Sequence, residues 1–190
     1  MDRRELLRMI AIATGGVVIG GDFLLSGCKN PETKTALTFS DNDIAFLNEV
    51  AETVLPQTNS AGAKAANAGT YMSVWVNDCY TTDEQQIFHK GITALDEASK
   101  KMNGKSFMES TAEERTKLLI AIDNEKKEYY KTKKAEEPDH YFQQMKQLAI
   151  AGYFCSEKGR KEALRYTPVP GKYIGDLEYK KGDKAFAGLS

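Results

Sequence analysis

From Ser40 to Gly152 the apolar residues of this chain recur at the three-and-four spacing of an α-helix, and breaks rich in proline or glycine cut that recurrence into separate segments. The period constrains the fold more than any other feature, because a helical pattern cannot bury its apolar side as a strand. It predicts an all-α architecture: a compact domain of about five to six helices with an irregular C-terminal tail.

The segments can be placed one by one. Ser40 offers an N-cap with an acid, Asp43, three residues on, and Ile44, Leu47, Val50, Ala51, Val54 and Leu55 follow at helical spacing until Pro56 ends the run. The Ala-, Asn- and Gly-rich stretch from Gln57 to Gly69 predicts a loop. Tyr71, Val74, Trp75, Asp78 and Cys79 predict a second helix. Thr82 with Gln85 predicts a capping box for a third, whose apolar face is Ile87, Phe88, Ile92, Leu95 and Ala98. Thr111 with Glu114 repeats the capping pattern before Leu118, Leu119, Ile120 and Ile122. The charged run from Glu125 to Glu137 predicts a solvated helix end and loop. Asp139, after Pro138, is placed to start the next helix, with Tyr141, Phe142, Met145, Leu148, Ala149 and Gly152 toward a core. Pro168 and Pro170 then forbid further helix, since each lacks an amide donor and fixes its own backbone angle.

The chain's first residues follow a different logic. Arg3 and Arg4, then Leu6, Leu7 and Arg8, precede an apolar run that closes on Leu25-Ser26-Gly27-Cys28. Paired arginines before an apolar segment resemble a twin-arginine export signal, and Leu25-Ser26-Gly27-Cys28 resembles a lipobox, in which the Cys28 thiol takes a diacylglyceryl group. The run is shorter than the roughly 20 apolar residues of a membrane span, and it carries four glycines and Asp22. The expected organisation is a signal peptide over 1–27, a lipidated tether over 28–37 and a helical domain over 38–190. The mature protein is expected to sit at the periplasmic face of a bacterial membrane, held there by lipid.

Several function classes find no support. The chain has 26 basic and 27 acidic residues, and loss of 1–27 removes three of each, so no basic excess favours nucleic acid. There is no Cys-x-x-Cys-His, no glycine-rich nucleotide loop after a strand and no Gly-x-Ser-x-Gly, so no catalytic residue, metal site or bound cofactor is expected. His89 and His140, the two histidines, stand far apart and read as ordinary surface or half-buried residues. With Cys28 lipidated, Cys79 and Cys155 remain as an even pair in an oxidising compartment, where they can bond or can each stay a small apolar side chain. Tyr71, Trp75 and Tyr80 either belong to the core or form a stacking platform for a sugar.

Two regions carry a family resemblance. Phe46 to Thr58, ending in Leu55-Pro56-Gln57-Thr58, followed by Ser60-Ala61-Gly62-Ala63-Lys64-Ala65-Ala66, resembles the opening of the gluconate 2-dehydrogenase subunit 3 family. Gly152-Tyr153-Phe154-Cys155-Ser156-Glu157-Lys158-Gly159 and Tyr166-Thr167-Pro168-Val169-Pro170-Gly171-Lys172-Tyr173 resemble its closing motifs, with Cys155 where Thr or Ser is usual. The resemblance implies a small non-catalytic subunit that aids export, assembly or membrane attachment of an FAD-containing dehydrogenase subunit, alongside a cytochrome c or quinone-linked partner. It marks Pro56, Thr58, Gly62, Tyr153, Pro168, Pro170, Gly171 and Tyr173 as partner-interface candidates. The competing expectation is a stand-alone periplasmic lipoprotein that binds a sugar or small acid, and an enzyme in its own right is the weakest reading.

Overall fold

The computed structural model describes residues 38–169, 171–172 and 175–187. The segments expected to form a signal, a lipobox and a tether, with Arg3, Arg4, Leu25, Ser26, Gly27 and Cys28, lie outside the described residues. Five α-helices run in order: α1 Asp41–Val54, α2 Ala68–Cys79, α3 Thr82–Asn103, α4 Ala112–Thr132 and α5 Tyr141–Cys155. A π-helical turn, Gly159–Ala163, follows, and Arg165–Tyr166 (β1) pairs in parallel with Phe186–Ala187 (β2). The all-α expectation, irregular tail included, therefore holds.

Three helices begin on reciprocal capping boxes. Ser40 with Asp43 and Thr111 with Glu114 are the predicted pairs, whereas α3 is capped by Thr81 with Glu84, one residue before the predicted Thr82 and Gln85. Gln85 turns back instead, and its Nε2 donates to the carbonyls of Val76, Asn77 and Tyr80 at the end of α2. Helix α5 starts from His140, not Asp139, because the His140 Nδ1 accepts the Phe142 amide at 3.2 Å. Burial holds the His140 pKa below its ordinary value, which suits that acceptor role.

The core is one cluster drawn from all five helices, with Leu47, Val50, Met72, Phe88, Leu95, Phe142 and Met145 fully enclosed. Two faces are settled only by the packing. In α2 the inward residues are Ala68, Gly69, Met72, Ser73 and Val76, with Tyr71 partly buried against them, while Val74 and Trp75 point to solvent. In α4 Ile120 is 56% exposed, although its neighbours Leu118, Leu119 and Ile122 are buried. Small residues decide α2: a Cβ on Gly69 would stand 2.6 Å from the Ile44 carbonyl oxygen and 2.7 Å from the Asn48 amide, so glycine lets α2 lie directly against α1. The Asn48 carboxamide oxygen also accepts the Gly69 amide at 2.8 Å.

Carboxylates that lock this fold make it acid-sensitive. Glu114 is lowered to about 2, first by the hydrogen bond from Lys105 and then by the Thr111 amide. In Glu49 burial pushes the pKa up, but Lys64 and Arg115 outweigh it and the net direction is down. Groups whose pKa is lower in the folded state stabilise it above their ordinary pKa and lose that contribution as protons bind. The Tm is therefore expected to fall as pH drops from 4.5 toward about 2, and thermal melts across that range check it. A Tm that stays level there would contradict the assignment.

Candidate functional site: a loop and tail clamped at one end of the bundle

Pro56 ends α1, and the eleven residues before α2 must turn without regular backbone pairing, so side chains hold them. Glu52, on the last turn of α1, accepts the Gln57 amide at 2.9 Å and the Lys64 amide at 2.8 Å. A Cβ on Gly62 would stand 2.2 Å from that same carboxylate, which explains the glycine there. From α5, the Tyr153 hydroxyl donates to the Ala61 carbonyl at 2.9 Å and to Ser60 Oγ at 3.3 Å. From the π-helical turn, Glu162 accepts the Ala61 amide at 2.6 Å. Asn67, in left-handed conformation (φ 54°), turns the chain into α2.

The tail joins the same clamp. Lys184 donates to the Glu162 carbonyl, Arg165 donates its amide to Ala185 at 2.8 Å, and the Arg165 guanidinium lies 4.1 Å from the Phe186 ring centroid. These contacts pin both ends of the segment between β1 and β2. The described part of that segment is largely exposed, with Val169 at 80% and Tyr179 at 75%. Large apolar side chains held out in water on a pinned loop suit recognition of another protein surface.

The structure thus brings the two halves of the family-like pattern together and sorts the interface candidates. Pro56, Thr58, Pro168 and Gly171 are exposed and can meet a partner. Gly62 and Tyr153 are buried, so they shape the loop from within and are not themselves contact surface. Pro170 and Tyr173 lie outside the described residues. Glu52, Glu162 and Arg165, which the sequence reading missed, do the clamping; the only sequence hint is a carboxylate one turn before a proline-terminated loop. Removing one hydroxyl tests the clamp: Tyr153→Phe is expected to cost about 1 kcal/mol and to speed amide exchange at residues 60–62 while leaving α3 unchanged.

Other candidates resolve differently. Cys79 and Cys155 are exposed free thiols in place of the bonded pair the even count allowed. Tyr71 occupies the neighbourhood: its pKa is raised by burial first, then by the nearby Cys155 and Cys79. The aromatic trio forms no open platform, because Tyr71 stacks on Trp75 at 5.6 Å while both Tyr71 and Tyr80 pack against the core. His89 stacks on Phe39 at 4.2 Å. Among the described residues no group of three or more His, Cys, Asp or Glu could hold a metal ion, and no helix is long and apolar enough to cross a membrane.

Residues 41–171 match the protein family described as Gluconate 2-dehydrogenase subunit 3. No curated protein and no solved structure matches the chain. The match starts on the first residue of α1, takes in every helix described above with Glu52, Tyr153 and Glu162, and stops at Gly171, so that β2 and Lys184 lie beyond it. Covering more than two thirds of the 190 residues, it establishes that the chain belongs to the gluconate 2-dehydrogenase subunit 3 family.

Proposed function

We propose that this chain is the non-catalytic small subunit of a membrane-associated, FAD-dependent dehydrogenase of the gluconate 2-dehydrogenase type, and that it aids export, assembly or membrane attachment of the flavoprotein subunit. The observation that carries the reading is the family match across a bundle whose loop and tail are held rigidly at the base and left exposed at the tip. Substrate chemistry belongs to the partner's flavin. The paired Arg3 and Arg4 direct export of a folded passenger, the Cys28 lipid fixes the complex to the periplasmic face, and a cytochrome c or quinone-linked subunit takes the electrons.

Mild detergent extraction of the tagged full-length chain from its native membrane is expected to co-purify a polypeptide with flavin absorbance. Recovery of the chain alone would overturn the subunit reading. Cys28→Ser is expected to move the chain from the membrane pellet to the soluble fraction, and unchanged membrane retention would overturn the lipid anchor.

A further inference from the structure

Away from the clamp, an open trough of about 260 Å³ runs between the end of α1, the middle of α4 and the start of α5. Val54, Leu119, Ile120 and Phe142 give it an apolar floor, and Asp123, Lys127 and Lys146 stand at its side. Three ammonium groups converge there on one carboxylate: Asp123 receives Lys146 at 2.7 Å, Lys126 at 2.9 Å and Lys127 at 3.0 Å. None of these lysines has a second acidic partner among the described ion pairs. Lys126 and Lys146 share the same oxygen, Oδ1, so their like charges are held close, and Lys126 is itself 11% exposed.

Three lysines against one carboxylate leave the cluster with a formal charge of plus two among the described residues. Asp123 does not relieve this by protonating, since Lys146 foremost, then Lys126 and Lys127, hold its carboxyl far below the usual range against the effect of burial. Like charges confined in a half-buried site repel, and a second anion brought beside them removes that cost. The trough's openness decides what brings it. Ile120 at the lip is 56% exposed and Lys127 is 61% exposed, whereas sites for small molecules enclose most of the ligand surface. An open apolar trough with a cationic side suits a segment that continues past it.

Resting on the subunit reading above, we propose that this trough is a docking site for an acidic segment of the dehydrogenase partner, which sets an aliphatic or aromatic side chain on the Val54, Leu119, Ile120 and Phe142 floor and a carboxylate against Lys127 and Lys146. The site lies on helices, apart from the loop and tail, and so gives the partner a second, electrostatic foothold.

The test uses the complex purified from membranes at low salt, with binding of the full-length chain to the detergent-solubilised flavoprotein measured directly. The double variant Lys127→Glu, Lys146→Glu is expected to weaken binding at least tenfold, and Lys101→Glu, an exposed lysine on α3, which does not line the trough, to leave it unchanged. Lys127→Ala with Ile120→Ser, which alters only the exposed rim, is expected to weaken binding severalfold with its Tm retained, so a folding defect in the charge-reversed form would not obscure the result. Wild-type affinity is expected to fall steeply as salt rises. Unchanged affinity in both trough variants, with the wild type still bound to its flavoprotein, would overturn this site and leave the subunit reading standing. A wild-type chain that binds no flavoprotein would overturn both.

Discussion

Phe107→Ala is expected to destabilise the domain by about 3–5 kcal/mol, because the ring is fully buried and its removal leaves a cavity that helices on either side cannot close. For a domain of this size that lowers Tm by about 8–16 °C, read directly from thermal melts by circular dichroism. The position is unusual in that Phe107 lies in the turn between α3 and α4, not on a helix. Its ring packs against Phe46 with centroids 5.0 Å apart, and its amide is accepted by Asp96 at 2.9 Å. Truncation therefore frees the turn as well as hollowing the core. A drop of under 1 kcal/mol would mean that the turn is not fastened by this side chain.

Arg115→Ala is expected to cost about 3 kcal/mol, within the range for removing one member of a largely buried ion pair and reduced somewhat because Glu49 keeps Lys64. The guanidinium makes four contacts that tie α4 to α1 and to the turn between α3 and α4. It pairs with Glu49 on α1, donates from Nε to the Phe107 carbonyl at 2.9 Å and from Nη2 to the Met108 carbonyl at 2.7 Å, and lies 5.2 Å from the Phe107 ring centroid. Arg115 and Glu49 side chains are each 14% exposed, so removal of either leaves the other poorly solvated. The Glu49→Gln and Arg115→Ala changes should be strongly non-additive, the double variant costing less than the two single costs combined. Strict additivity in that cycle would refute the pairing. Lys is a poor substitute for Arg115, since a single ammonium cannot reach a carboxylate and two carbonyls in one plane.

These two residues mark where reading the chain alone ran out. Phe107 follows Gly104-Lys105-Ser106, off any helical face, so periodicity gave no reason to bury it. Arg115 stands among the acids and lysines that open α4, where a charged residue ordinarily faces water. In α2 the pattern identified the element but not its inside, because Gly69 and Ser73 admit close helix approach while contributing little to an apolar count. Ile120 shows the converse: it stands with Leu118, Leu119 and Ile122 in one apolar run, yet successive helical positions turn by about 100° and cannot all face one way.

Local chemistry was legible in the sequence. Capping boxes at Ser40 and Thr111, the stop at Pro56, the apolar faces of α1, α3 and α5, and the irregular tail after Tyr166 all depend on residues within a turn or two of one another. The family resemblance was legible for the same reason, as runs of neighbouring residues. What tertiary structure decided are the long-range unions: Tyr153 and Glu162 holding a loop about a hundred residues earlier, Arg115 reaching Glu49, and three lysines from two helices meeting on Asp123. Each depends on where helix axes cross, and the crossing is set by side-chain volumes at the contact, which no periodic pattern along a single helix contains.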